Sequence, residues 1–269
     1  MYRLLALDLD GTLLRRDGVV DDRDIAAIAE LQAAGVVVTI VTGRLHSGAT
    51  FAARACRIDG AIVCVDGSHL VELTSGRTLL HHGLAGDLAA VVRDTVARHE
   101  LSAFVFDAAG IHHDHAGAPY ADFVRTWSPN LRIVEQDVAW QTDLLGAVVI
   151  GEPDAVAAAH EVLREHAARL FSVRFDVWTH PGRDAMIVRA AGATKGTGLA
   201  ELCQRAGISL AEAVAVGDWM NDIPMFEVAG RSFAMGTAPD AVRAKASDVL
   251  SATAFDGGGI AEAIRRSWG

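Results

Sequence analysis

The sequence predicts an α/β protein: a parallel sheet flanked by helices, interrupted by an inserted α+β module. Three observations predict it. Residues 3–7 form an apolar run too short for a helix that stops at a carboxylate, as a buried parallel strand does. Two further runs, Val36 to Val41 and Ala61 to Val65, are separated from it and from each other by helical patterns. That βαβαβ order implies right-handed crossovers and a parallel sheet. From about residue 84 to 188 the alternation gives way to runs of strands separated by two helices, and the parallel pattern then resumes.

Taken in order, the first strand leads into Asp8-Leu9-Asp10-Gly11-Thr12, and Arg15-Arg16-Asp17-Gly18 is turn-like. Asp21 or Asp22 can cap a helix in which Ile25, Ile28, Ala29 and Leu31 recur at helical spacing. Gly35 ends it in the left-handed conformation. The second strand is β-branched almost throughout and finishes in Thr42-Gly43-Arg44; an Ala-rich helix and the third strand follow. Residues 66–82 read as a hairpin around Ser75-Gly76. The inserted segment carries a helix through Leu88, Val92 and Val96, strands near 103–106, 111–113 and 145–150, a helix near 153–168, and strands near 171–177 and 185–189. The core resumes at Thr194-Lys195-Gly196 with a helix ending at Gly207. The buried strand Ala213 to Val216 ends in Gly217-Asp218, and short β/α units and a terminal helix complete the chain. The expected division is a core of residues 1–83 and 189–269 and an insert of residues 84–188.

Composition narrows the function. With 51% hydrophobic residues among 269, the chain can bury a substantial core. A formal charge of −10 with no basic run argues against nucleic acid or an anionic membrane as the main partner. It leaves room for a small phosphorylated substrate, because one cation and one lysine reverse a local field. Cys56, Cys64 and Cys203 form no Cys-x-x-Cys pair, as expected of reduced packing cysteines. The first strand begins without a leader pattern, and no apolar run approaches the roughly 20 residues needed to span a bilayer. A soluble, cytoplasmic protein is the expectation.

Four polar clusters fall at strand ends or just before a core helix: Asp8/Asp10, Thr42-Gly43, Lys195, and Asp218/Asn221/Asp222. Two aspartates one residue apart share a side if strand geometry continues, and clustered carboxylates need a cation, a shared proton or strong donors nearby. Each cluster taken alone reads as well as a turn, a solvated helix start or an ordinary strand-end aspartate. In a parallel sheet, however, strand ends of one polarity share one edge, so all four can converge.

These four clusters resemble the signature motifs of the haloacid dehalogenase superfamily. The resemblance covers about residues 1–80 and 190–269, and the insert between the second and third motifs is similar to that of Cof-type phosphatases with a C2B cap. It implies a Rossmann-like core with an α+β cap that sets specificity. By resemblance, Asp8 attacks phosphorus and forms an aspartyl phosphate, and Asp10 protonates the leaving oxygen and then activates water. Mg²⁺ is expected on Asp8, the main-chain carbonyl of Asp10, and Asp218. Asp222 is either a ligand or a neighbour of one. Thr42, Gly43 and Lys195 would hold the phosphate, Asn221 would orient this shell, and Arg44 is a candidate substrate contact. One departure stands out: where the family commonly has Asn-Gly-Ala, this chain has Asp66-Gly67-Ser68, which would alter polar recognition and disfavour a further anionic group on the substrate.

Other features are weaker. His112-His113-x-His115 lacks a third spaced ligand and reads as a solvent-facing loop. Trp178 to Arg183 reads as a hairpin loop that can also present His180 and Arg183 to a substrate. Gly196-x-Gly198 has neither a third glycine nor a preceding strand, so it is no dinucleotide site, and no P-loop is present. The resulting expectation is Mg²⁺-dependent hydrolysis of a small phosphorylated metabolite such as a sugar phosphate. Its rivals are a phosphosugar mutase with the same chemistry and a non-catalytic phospho-accepting regulatory or binding protein.

Overall fold

The computed structural model describes residues 1–141 and 143–269. Its elements run β1 (Leu4–Leu7), α1 (Asp22–Ala33), β2 (Val37–Ile40), α2 (His46–Ala55), β3 (Ala61–Cys64), β4 (His69–Glu72) and β5 (Thr78–His81). Then come α3 (Gly86–Arg98), β6 (Ser102–Phe106), β7 (Ile111–His113), α4 (Ala121–Val124), β8 (Leu131–Ile133), α5 (Gln136–Ala139), β9 (Gly146–Gly151), α6 (Pro153–Arg164), β10 (Leu170–Asp176) and β11 (Asp184–Ala190). The last stretch holds α7 (Lys195–Ala206), β12 (Ala213–Gly217), α8 (Ile223–Val228), β13 (Arg231–Ala234), α9 (Asp240–Arg243), β14 (Asp248–Val249) and α10 (Gly259–Trp268). They form two compact units, 1–80 with 194–269 and 81–193, the second slightly longer at both ends than the 84–188 read from sequence.

In the first unit, strands β14-β13-β12-β1-β2 form a parallel sheet. All four residues of β1 are fully buried, since strands flank both its edges and helices cover both faces. Leu4 and Ala6 pack with Leu199, Leu202, Met225 and Phe226 of α7 and α8. The two-residue period of a strand sends Leu5 and Leu7 to the opposite face, where α1 lies against α10. From β1 the chain crosses to β2 on one side and returns later to β12 on the other. The carboxyl end of β1 is therefore the point where strand order reverses, and that is where open α/β sheets leave a crevice.

One expectation is corrected. β3 does not extend the parallel ladder but pairs antiparallel with β4 in a separate sheet of order β3-β4-β5. Its link to the neighbouring strand is the single bridge between Val41 and Val63. The Thr39 hydroxyl donates to Ala61 O (2.8 Å), so a side chain ties the start of β3 to the middle of β2. α8 and the short elements β8, α4 and α5 were not legible, because each holds three to six residues and shows no full period of either pattern.

The second unit has a sheet of order β10-β11-β9-β6-β7-β8, antiparallel except for β7 with β8. Its core lies between this sheet and α3 and α6, where Val105, Ala147, Val149, Met186 and Val188 meet Leu88, Val92, Val156 and Leu163.

The two ends of the chain are joined by a buried carboxylate. Asp24 of α1 is 2% exposed and accepts from Gly258 N (3.0 Å) and Ala261 N (2.8 Å), satisfying amides at the start of α10. Burial pushes its pKa up, and the two amides pull against that. Asp24→Ala should lower stability by about 2 kcal/mol, since it removes the cap and leaves buried amides unpaired. Thermal unfolding should register this as a drop of roughly 5 °C, and an unchanged Tm would refute the capping role.

Candidate active site

Asp8 leaves β1 immediately after its last paired residue, with its amide donating to Val216 O (2.9 Å), so it sits level with the end of β12. Asp218 follows that strand. The loop of residues 8–12 comes so close to Asp218 that a Cβ on Gly11 would stand 2.4 Å from Asp218 Oδ2, and Gly11 also has φ of 85°. Glycine is required there on both counts. Thr12 Oγ1 donates to Asp218 Oδ1 (3.1 Å).

Lys195, the first residue of α7, is 1% exposed. Its ammonium donates to Asp8 Oδ1 (2.5 Å) and to Asp222 Oδ1 (2.6 Å). The other Asp222 oxygen accepts from the amides of Asp218 and Trp219 (both 2.8 Å). Asp222 is thus held by one lysine and two main-chain donors, and it fixes the loop that carries Asp218. Burial by itself would lower the pKa of Lys195, but Asp222, Asp8 and Asp66 outweigh it and hold the lysine charged. Burial raises the Asp8 carboxyl well above the usual range, and repulsion from Asp222 and Asp218 adds to this against the pull of Lys195. Asp218 is raised to about 6, first by burial and then by Asp222.

Oxygen atoms of Asp8, Asp218 and Asp222 lie within 4.8 Å of one another. Three carboxylates, two of them buried, against one ammonium leave negative charge uncompensated, and an all-oxygen donor set suits a hard divalent cation. The residues fit such an ion. The Asp10 carboxylate lies outside this group: Arg44 grips it with Nε to Oδ2 (2.8 Å) and Nη2 to Oδ1 (2.5 Å), while Nη1 donates to Gly48 O (3.2 Å). Nothing in the spacing of Asp10 and Arg44 announced this clamp.

Thr42 is 1% exposed; its hydroxyl accepts from Arg44 N (3.1 Å), and its carbonyl accepts from Asp66 N (3.0 Å). The turn after β3 is strained, with Val65 and Asp66 at φ of 50° and 48°. Such backbone costs on the order of 1–3 kcal/mol per residue and survives only where its surroundings dictate it. Gly67 (φ 99°) lies against the segment before Lys195, where a Cβ would stand 2.1 Å from Thr194 O. The turn delivers the Asp66 carboxylate to Asn221, whose Nδ2 donates to Oδ1 (2.9 Å).

His180 and Arg183 belong to the second unit and are engaged there. The His180 ring meets Tyr120 edge-on at 5.0 Å, and Arg183 donates to the Tyr120 hydroxyl (3.2 Å) and pairs with Glu152. Only His115 of the histidine run faces solvent. His112 and His113 lie in β7, His113 is 2% exposed against Phe104, and His112 pairs with Asp107 Oδ2 (3.1 Å).

A family model described as haloacid dehalogenase-like hydrolase matches residues 5–264. The chain is 28% identical over 265 residues to a pyridoxal phosphate phosphatase of Escherichia coli (strain K12), covering 94% of this chain and 95% of that one. It is also 28% identical over 241 residues to an HMP-PP phosphatase of Yersinia pseudotuberculosis, with coverage of 88% and 85%. The crystal structure of a haloacid dehalogenase-like hydrolase from Bacteroides thetaiotaomicron aligns with a TM-score of 0.86 at 23% identity over 99% of each chain. At that identity the likeness is one of fold.

The raised Asp218 carboxyl gives a signed expectation. An acid whose folded-state pKa exceeds its unfolded value favours the fold below the unfolded pKa, and that contribution is lost as pH rises through about 6. At neutral pH, Asp218→Asn should therefore stabilise the chelator-treated protein. It should also abolish the rise in Tm that a divalent cation gives the wild type. Equal Tm gains from the cation in both proteins would exclude Asp218 from the cation site.

Proposed function

Because this chain belongs to the haloacid dehalogenase-like hydrolases and is an enzyme of phosphoric monoester hydrolysis, we propose that it cleaves a small phosphorylated metabolite through an aspartyl-phosphate formed on Asp8. The observation that carries the reading is the buried Lys195 ammonium shared between Asp8 and Asp222 beside Asp218. A phosphomonoester dianion resists an anionic nucleophile, so positive charge has to be fixed where phosphorus is attacked. Lys195 supplies a permanent share of it.

Asp8 and Asp218, with the main-chain carbonyl of Asp10, would hold Mg²⁺, which supplies further positive charge against the transferring phosphoryl group. Asp222 keeps Lys195 charged and fixes the Asp218 loop. The Thr42 hydroxyl and the Gly43 amide would donate to phosphoryl oxygens, alongside Lys195. Asp8 Oδ attacks phosphorus, and the P–O bond to the leaving group breaks as Asp10 gives that oxygen a proton. Asp10 then takes a proton from the water that attacks the aspartyl phosphate, which releases inorganic phosphate and restores Asp8. To reach the leaving oxygen, Asp10 must first let go of Arg44.

The insert interrupts the core between the threonine and lysine motifs, and that placement supports a role in choosing the metabolite. Three free, buried cysteines support a reducing, cytoplasmic setting. Among the described residues no helix is long and apolar enough to cross a membrane.

Hydrolysis of p-nitrophenyl phosphate with Mg²⁺, followed by a panel of phosphorylated metabolites, tests the reading. Asp8→Asn should abolish turnover and keep the fold. Asp10→Asn should lose on the order of 10²-fold or more in kcat. Chelation with EDTA should silence the enzyme and Mg²⁺ should restore it. Substantial turnover by Asp8→Asn would overturn the nucleophile assignment, and full activity in chelator would overturn the role of the metal.

A further inference from the structure

The strained turn after β3 brings a carboxylate to a place where an amide would satisfy the same geometry. Asp66 is 8% exposed, and its Oδ1 accepts from Asn221 and lies 3.2 Å from where a Cβ on Gly43 would stand. Its amide is tied to Thr42 O and that of Val65 to Arg44 O (both 3.0 Å), so the carboxylate is fixed against the loop that would hold the phosphoryl oxygens. Its charge is also felt by Lys195.

An asparagine at 66 would tolerate left-handed φ as well and could still accept from Asn221. What aspartate adds is two things. Being acceptor-only, it obliges Asn221 to present its NH₂ inward and its carbonyl oxygen outward. It also places a fixed negative charge beside Gly43, where an anionic ligand is to be bound.

We propose that Asp66 is a specificity-determining residue whose charge weakens the hold on phosphate and selects phosphomonoesters against ligands bearing a second phosphate. The inference rests on the phosphatase reading above. Repulsion scales with the charge of the ligand, so a diphosphate ester is penalised more than a monoester, and free phosphate is released more readily. Burial of Asp66 limits screening by salt.

The test is Asp66→Asn, with inorganic phosphate titrated calorimetrically in Mg²⁺ and kcat/KM measured for p-nitrophenyl phosphate and for a diphosphate monoester such as ADP. Phosphate should bind about tenfold tighter to the variant, and the ratio of kcat/KM for diphosphate over monoester should rise by a similar factor. The double variant Asp66→Asn/Asn221→Asp, which moves the charge to the partner, should return phosphate affinity toward the wild-type value. A purely structural role would lower Tm and reduce kcat/KM for both substrates alike. Unchanged or weaker phosphate binding by a folded Asp66→Asn protein overturns the proposal. If wild type binds phosphate but hydrolyses no phosphomonoester, the phosphatase reading falls while the titration still decides the effect of the charge. No phosphate binding by either protein counts against both.

Discussion

A single buried ammonium organises the carboxyl edge of the core sheet. Lys195 is 1% exposed and lies between Asp8 and Asp222, carboxylates that come from the first and fourth segments of the core. Removing the ammonium would leave two buried carboxylates uncompensated in a dry environment, a penalty of several kcal/mol. The three therefore constrain one another and align β1, β12 and the start of α7. Asp222 completes the lock with its second oxygen, which collects the amides of Asp218 and Trp219. Asp218 is then presented by a loop tied through two amides to a buried carboxylate.

The sheet makes that meeting possible. Asp8, Thr42 and Asp218 are each the first or second residue beyond a strand. β1 lies between β2 and β12, so residues more than 170 positions apart in sequence end on one edge. This much was legible because it depends on pattern alone: apolar runs of strand length, helices between them, and polar residues where each run stops. A parallel order then places all strand ends together without any knowledge of side-chain contacts.

What was not legible depends on contacts between side chains whose separation in sequence has no period. The bidentate grip of Arg44 on Asp10 joins two residues that each suit a site for other reasons. Asp66 was conspicuous as a departure from a familiar turn, yet its bond to Asn221 and its left-handed backbone come from packing against Thr42, Arg44 and Thr194. β3 reads as a strand of the parallel sheet, although it pairs with β4, because a buried strand has the same composition whichever neighbour it pairs with. His113 reads from its neighbours as a polar loop residue, but its contact with Phe104 and a bond between Nδ1 and Asp114 O (2.6 Å) make it a core residue.

Several local rules are broken at this edge, and each breach has its compensation close by. A lysine in the first turn of α7 opposes the helix dipole and is buried as well. Asp8 and Asp222 neutralise it, and the Thr194–Thr197 capping box repairs the helix start (3.1 Å from Thr197 N to Thr194 Oγ1). Three carboxylates crowd into one locus, where Lys195, Thr12 and two main-chain amides share the load. Val65 and Asp66 adopt backbone that non-glycine residues avoid, held by hydrogen bonds from their amides to carbonyls of the loop after β2. Folding alone would favour none of these choices, since an apolar residue at 195 and an ordinary turn at 65–66 would be easier to accommodate. Sequence rules that fail together on the same few residues are what the proposed chemistry at this edge would require.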